Sequence, residues 1–159
     1  MLIWRIFLDS LPTKIALYKR RVLTREEDLI CVLCEEDRES SNHLLIHCKW
    51  SWELWSKGLL WWGSSWVVPQ NARCLLESWE IGGVSNSSKR LGKILCYATL
   101  WSIWEERNRR CFHNQRRSVE EVGDLVKARV AWWAKFRNTK CPYSVETIKR
   151  CIEEVRENC

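Results

Sequence analysis

Cys31-Val-Leu-Cys34 is followed, after eight residues, by His43-Leu-Leu-Ile-His-Cys48, a Cys-x2-Cys-x8-His-x4-Cys pattern. Two thiols separated by two residues form a knuckle that grips one side of a metal ion. A His and a Cys arriving together from further along close the other side. Three thiolates and one imidazole around a tetrahedral ion make a closed structural zinc site, with no coordination position left for water or substrate. Such a metal folds a chain rather than doing chemistry in it, which points to a binding or scaffolding module.

The competing reading is that buried cysteines simply pack as small hydrophobes. It suits Cys74, Cys96, Cys111, Cys141, Cys151 and Cys159, which are scattered. It suits Cys31, Cys34 and Cys48 poorly, because residues 35–42 are polar and acidic, a bad place to hide free thiols. His47, directly before Cys48, is a second candidate for the place of His43. Zn²⁺ with three thiolates leaves a net negative charge, which Arg38 and Lys49 stand near enough in sequence to offset. Backbone N–H groups around Leu33 and Cys34 are candidate donors to the sulfurs. His113, two after Cys111, reads as an ordinary surface histidine.

Nine Cys is an odd number, so a complete set of internal disulfides is impossible. Arg5 and Asp9 fall inside what would have to be the apolar core of a secretory leader. The apolar run 94–104 is too short for a bilayer and contains Thr99 and Ser102. The expectation is a soluble intracellular protein in a reducing compartment, where clustered cysteines hold metal more often than each other. A net charge of +6 fits a polyanion partner without requiring one.

Hydrophobic periodicity predicts an all-α protein, a small zinc-stabilised helical module followed by a C-terminal bundle of about three helices. Residues 1–62 form the zinc-binding domain, 63–88 a linker and 89–159 the helical region. Trp4, Phe7, Leu8 and Leu11 recur at helical spacing before Pro12, and Thr13 is placed to cap a second short helix through Arg21. Thr24-Arg-Glu-Glu27 reads as a capping box leading to the first ligands. Trp52, Trp55 and Leu59 share a stripe. Gly63-Ser-Ser65 and Gly82-Gly-Val-Ser-Asn-Ser-Ser88 are breaks, the second a flexible joint. Leu91, Ile94, Leu95, Ala98 and Trp101 then line a core face. Ser118-Val-Glu-Glu121 opens a further helix with Val119, Val122, Val126, Val130 and Trp133 inward. Cys141-Pro-Tyr-Ser144 stops it, and Ser144 caps a last helix whose Val145, Ile148, Ile152 and Val155 face in.

These residues resemble the zinc-binding domain at the C-terminal end of reverse transcriptases of plant LINE-type (non-LTR) retrotransposons. The likeness runs through Trp4-Arg-Ile-Phe, Leu11-Pro-Thr13, Leu17-Tyr-Lys-Arg-Arg21, the ligand pairs, Glu39-Ser-Ser-Asn-His43-Leu-Leu45 and Trp55, covering about residues 1–60. Leu100-Trp-Ser-Ile-Trp104-Glu-Glu-Arg-Asn108-Arg-Arg-Cys-Phe112 is similar to a Trp-x2-Trp-x2-Arg-Asn-x3-Phe segment that follows this domain in such polyproteins. The resemblance implies ligand roles for Cys31, Cys34, His43 and Cys48 around one structural zinc. It also implies a parent polyprotein with a polymerase domain, and weakly favours the nucleus over the cytoplasm. Glu35 stands where a Gly often relaxes the turn after the knuckle. No Tyr-x-Asp-Asp motif or paired-carboxylate set for Mg²⁺ is present.

The leading expectation is a non-catalytic zinc-binding module that assists RNA or DNA binding, with neither membrane nor small-molecule substrate as partner. Lys14, Lys19, Arg20, Arg21 and Arg25 flank the metal pattern, and Arg107, Arg109, Arg110, Arg116 and Arg117 make a second basic cluster. Trp61, Trp62 or Trp66 would stack on unpaired bases if exposed. The plain alternatives are that the second cluster complements a helix dipole and that tryptophans at helical spacing pack a core. The rival function is a structural or protein-interaction module, or a retroelement remnant without independent activity. Substituting Cys34 or His43 is expected to unfold the first half and leave the helices beyond Lys89 partly formed.

Overall fold

The computed structural model describes residues 2–65, 67–80, 86–137 and 143–158. Among these the chain is helical, with one isolated antiparallel bridge, Ile30 to Arg38, and no extended strand. The elements in order are α1 (Leu2–Phe7), α2 (Lys14–Lys19), a 3₁₀ turn (Glu26–Leu29), a π-helical turn (His43–His47), α3 (Lys49–Trp62), α4 (Ala72–Ser78), α5 (Asn86–His113), α6 (Val119–Arg137), α7 (Val145–Arg150) and α8 (Ile152–Asn158). No helix among the described residues is long and apolar enough to cross a membrane.

α3 forms because Trp50, Leu54, Trp55, Leu59 and Trp62 repeat at helical spacing and are all buried. It stops at Gly63, whose φ of 71° is left-handed. Gly63 N–H then donates to the Leu60 carbonyl and Ser64 N–H to the Leu59 carbonyl, so two otherwise orphaned acceptors are satisfied. α5 and α6 are joined by a short connection and run antiparallel: Arg129 of α6 donates to Ser102 Oγ and pairs with Glu105 of α5. α3 packs against both, and α7 and α8 close the end of this layer.

The capping box at Ser118 is present in full. Ser118 N–H donates to Glu121 Oε2 at 2.7 Å, and Glu121 N–H donates to Ser118 Oγ at 3.2 Å. Val119, Val122, Val126 and Val130 are buried as their spacing requires, with Trp133 half-buried against them. At Ser144 the hydroxyl accepts from Thr147 N–H at 3.1 Å. The helix it opens breaks at Cys151, so one expected helix is two, though Ile148, Ile152 and Val155 all remain inward. The joint read at 82–88 and the stop at Cys141-Pro142 lie largely outside the described residues.

Other details differ from the periodicity. In α1 it is Leu2 and Ile6 that are buried, with Leu11 beyond, while Trp4 is 67 % exposed. α1 rests on α4, and that contact selects the opposite stripe. The Thr24 capping box does not form; the 3₁₀ turn starts after Arg25 with no side-chain cap. Trp52 and Trp101 are partly exposed, whereas Thr99, Leu100, Ser102 and Ile103 occupy the buried face of α5. Within residues 63–88, Ala72, Leu75 and Trp79 join the core, with Trp79 5.3 Å from Trp55 between ring centroids. Its indole N–H donates to the Gly92 carbonyl at 2.8 Å, tying α4 to α5.

Candidate metal centre

The knuckle is a tight backbone loop. Cys31 N–H donates to the Asp37 carbonyl at 2.7 Å, Glu35 N–H to the Cys31 carbonyl at 2.8 Å, and Glu39 N–H to the Leu29 carbonyl at 2.8 Å. Glu35 sits at φ 60°, the left-handed region where glycine is at ease, so the turn is built here with a strained side-chain residue.

The second ligand pair rides on the π-helical turn. Cys48 N–H donates to the His43 carbonyl, five residues back, at 2.7 Å. This wider turn brings residues five apart toward one side, which an α-turn would not. Ser40 Oγ accepts from His43 N–H at 3.0 Å and caps it. Two of its carbonyls are taken by α3: Ser51 Oγ–H donates to Leu44 O at 2.6 Å, and the Trp55 indole N–H to Leu45 O at 2.8 Å.

One donor atom from each of Cys31, Cys34, His43 and Cys48 lies within 4.8 Å of all the others. Zn–S bonds of about 2.3 Å would put tetrahedral sulfurs about 3.8 Å apart, so slight contraction closes this cluster on one ion. His43 Nε2 is 3.3 Å from Cys34 Sγ, and its Nδ1 faces Asp37 Oδ2 at 3.9 Å. A carboxylate behind the far ring nitrogen is the usual arrangement for a metal-bound histidine. His47 points away; its ring lies 3.2 Å from the Gln70 carbonyl on the exposed side. Geometry therefore assigns the fourth ligand to His43.

The donor set is also electrostatically coupled. The Cys31 thiol is pushed up to about 12, first by its hydrogen bond with Cys48 and then by burial. That same hydrogen bond pulls Cys48 down. His43 is raised to about 9, chiefly by the Cys31 sulfur. The backbone at Cys34 acts to lower Cys31, and the backbone at Ser51 and Trp50 to lower Cys48, although the Cys48 side chain makes no cap hydrogen bond at the start of α3. Of the cations expected to offset the cage, Arg38 pairs with Glu26 at 2.6 Å and Lys49 with Glu36.

Residues 1–55 match the family described as zinc-binding in reverse transcriptase. Cys31, Cys34, His43 and Cys48 all fall within that matched span, and their donor set fits one structural zinc ion. Comparison with curated proteins and with solved structures returns no match.

The basic residues sort differently. Lys19, Arg20 and Arg21 are exposed at the end of α2. Lys14 is turned to the Ile30 carbonyl at 2.7 Å, and Arg25 pairs with Glu27. Arg107 lies inside, bound to a Glu39 carboxylate that is itself 0 % exposed, at 2.8 Å. Arg110 is held by Glu106 at 2.8 Å, Arg109 donates to Gln115 Oε1, and Arg116 pairs with Glu35 at 2.6 Å. Arg117 engages Glu106 Oε1 through its backbone N–H. The second cluster is thus not free of acids, because Glu106 directly precedes it on α5 and Glu39 and Glu35 come to it from elsewhere in the fold. Trp61 and Trp62 are not free stacking platforms: Trp62 is buried, and Trp61 donates to the Lys149 carbonyl at 3.0 Å. Trp66 lies outside the described residues. Of the scattered cysteines, Cys96 is buried, Cys74 and Cys111 are half-buried, and Cys151 is exposed rather than packed.

The role that sequence reading missed is that of Glu39, read only as part of the polar loop and the family-like segment from Glu39 to Leu45. Its carboxylate accepts from Lys14 N–H at 3.0 Å and so caps α2, a task the Thr13 hydroxyl does not perform. Its partner is 68 residues away, and no spacing rule connects them.

Proposed function

We propose that the chain is a non-catalytic, zinc-folded module of a LINE-type, non-LTR retrotransposon reverse transcriptase. It assists RNA or DNA binding beside the polymerase domain of the parent polyprotein, and the nucleus is its place of action. The observation that carries this reading is the closed set of three thiols and one imidazole, which holds a metal for folding and offers no position to a reactant. The nucleic-acid part is supported by Lys19, Arg20 and Arg21. Lys19 and Arg20 line a cleft of about 230 Å³ together with Asp9, Ser40, Ser41 and Asn42.

The test is fluorescence anisotropy of the zinc-loaded chain with single-stranded RNA across a salt series. Each phosphate that a cation neutralises adds about 0.7 to the steepness of log affinity against log salt, so changing all three residues to Ala should flatten that slope by about 2. Binding that is absent or indifferent to salt would leave the structural or protein-interaction reading. A specific observation favours that rival: Trp132 and Phe136 stack 3.8 Å apart on α6 while 55 % and 64 % exposed, apolar surface of the kind a partner covers.

A further inference from the structure

Arg110 reaches from α5 into the metal-binding loop. Its Nη1 donates to the Val32 carbonyl at 3.3 Å and the Leu33 carbonyl at 3.2 Å. Val32 and Leu33 are the two residues between the first pair of ligands. In a trans peptide the C=O and N–H of one planar unit point to opposite sides. Holding the Leu33 carbonyl on the Arg110 side therefore turns the Cys34 N–H to the opposite side of that peptide unit and fixes the backbone of the knuckle.

The guanidinium cannot drift from this position. Its Nε donates to Glu106 Oε1 at 2.8 Å, its Nη2 to the Arg117 carbonyl at 3.1 Å, and it lies 5.1 Å from the centre of the Trp50 ring. Trp50 is the second residue after Cys48, at the start of α3. One cation, 8 % exposed in its side chain, thus holds the backbone between Cys31 and Cys34 and packs on the ring that follows Cys48. A planar fork serves this geometry as a single ammonium would not, since carbonyls, a carboxylate and a ring face are engaged in different directions at once.

We infer that Arg110 is a positioning residue for zinc, and that residues 106–117, outside the span matched by the reverse transcriptase family, complete the metal site by locking the backbone of the Cys31–Cys34 knuckle. This rests on the four-ligand zinc site and is independent of any nucleic-acid role.

The experiment is chelator competition for zinc on the full chain, with cobalt substituted for zinc as a spectroscopic reporter. The variants are Arg110→Met, Arg110→Lys and, as control, Arg73→Ala, which breaks only an exposed pair with Glu77. Arg110→Met should bind zinc about 10-fold to 100-fold more weakly, in the range found when outer partners of metal ligands are removed. Arg110→Lys should recover part of the loss, the control should match the parent, and the thiolate–cobalt bands of the Met variant should shift. Parent-like zinc affinity and cobalt bands in both Arg110 variants would overturn the inference, as would lowered stability with unaltered bands. If Arg110→Met does not fold, the Lys variant decides by the same readouts. A parent chain that takes up no zinc would instead refute the metal site itself, a result distinguishable from both.

Discussion

Glu39 and Arg107 show how much one pair of side chains can organise. Arg107 donates to Glu39 through Nε and Nη2, lies 5.2 Å from the centre of the Trp104 ring, and donates onward to Asn108. Two buried charges lose their water, and their attraction offsets that loss only while both are present. Arg107→Ala should therefore lower stability by about 3–5 kcal/mol, measured by urea unfolding of the zinc-loaded chain. Pairing Arg107→Met with Glu39→Leu should recover much of it, which a loss of packing alone would not allow. The ligands themselves set a pH dependence. Because Cys31 rises to about 12 and His43 to about 9, both keep protons at neutral pH when no metal is bound, and zinc must displace them. In the metal-free fold, the raised His43 value contributes stability below the ordinary imidazole range that is lost as pH climbs through about 9. Metal competes with the same protons, so the sign for zinc is the reverse. Calorimetry in buffers of different ionisation enthalpy should show proton release at neutral pH and affinity that increases toward pH 9.

Among the elements, α6 begins on a capping box made by residues three apart in sequence. Both hydrogen bonds of its capping box lie on the surface, and the apolar stripe behind them continues to Val130. Ser118→Ala should cost about 1 kcal/mol, seen as a lower denaturation midpoint with unchanged slope. The end of α5 uses a different device. Asn114 follows its last residue at φ 49°, an asparagine in the left-handed conformation that terminates helices. Arg110 and His113 lie in that last turn, where positive charge complements the dipole. Arg110 adds the contacts described above, so the dipole accounts for only part of its placement. The π-helical turn differs again, since it is held by Ser40, Ser51 and Trp55 rather than by its own sequence preference.

At the scale of the whole molecule, the buried residues join into a single cluster. It includes Cys31, Cys34 and Cys48 together with Trp55, Leu95, Ile103, Val126 and Ile148. Trp55 touches Trp79, Glu39 holds Arg107, and Trp61 reaches Lys149, so the zinc-binding segment and the C-terminal helices share their interior. Chelation should then do more than melt the first half. Zinc binding in small peptides amounts to roughly 10–16 kcal/mol, comparable to or above the stability of an ordinary domain. Removing the metal should lower the unfolding of both halves together, read as one shared transition by tryptophan fluorescence and far-UV circular dichroism. Helices beyond Lys89 that stay at parental stability after chelation would show that the shared core does not couple them.

The all-α class, the ligand set and the caps at Ser118 and Ser144 were legible in the chain because each depends on residues a few positions apart. A knuckle, a capping box and a helical stripe are all short-range patterns. Glu35 was legible through the family resemblance, as a residue standing where a Gly often relaxes the turn after the knuckle. Tertiary structure placed His43 among the sulfurs, as the spacing pattern expected, and removed His47 as its rival, because a π-helical turn sets which residues share a side. It also decided that Arg107 and Arg110 turn inward and that Trp4 lies outside while Trp62 lies within. Those outcomes depend on partners far away along the chain, such as Glu39 for Arg107 and α4 for α1. Periodicity marks a face as apolar or basic, but the neighbour that folding brings against it determines what that face does.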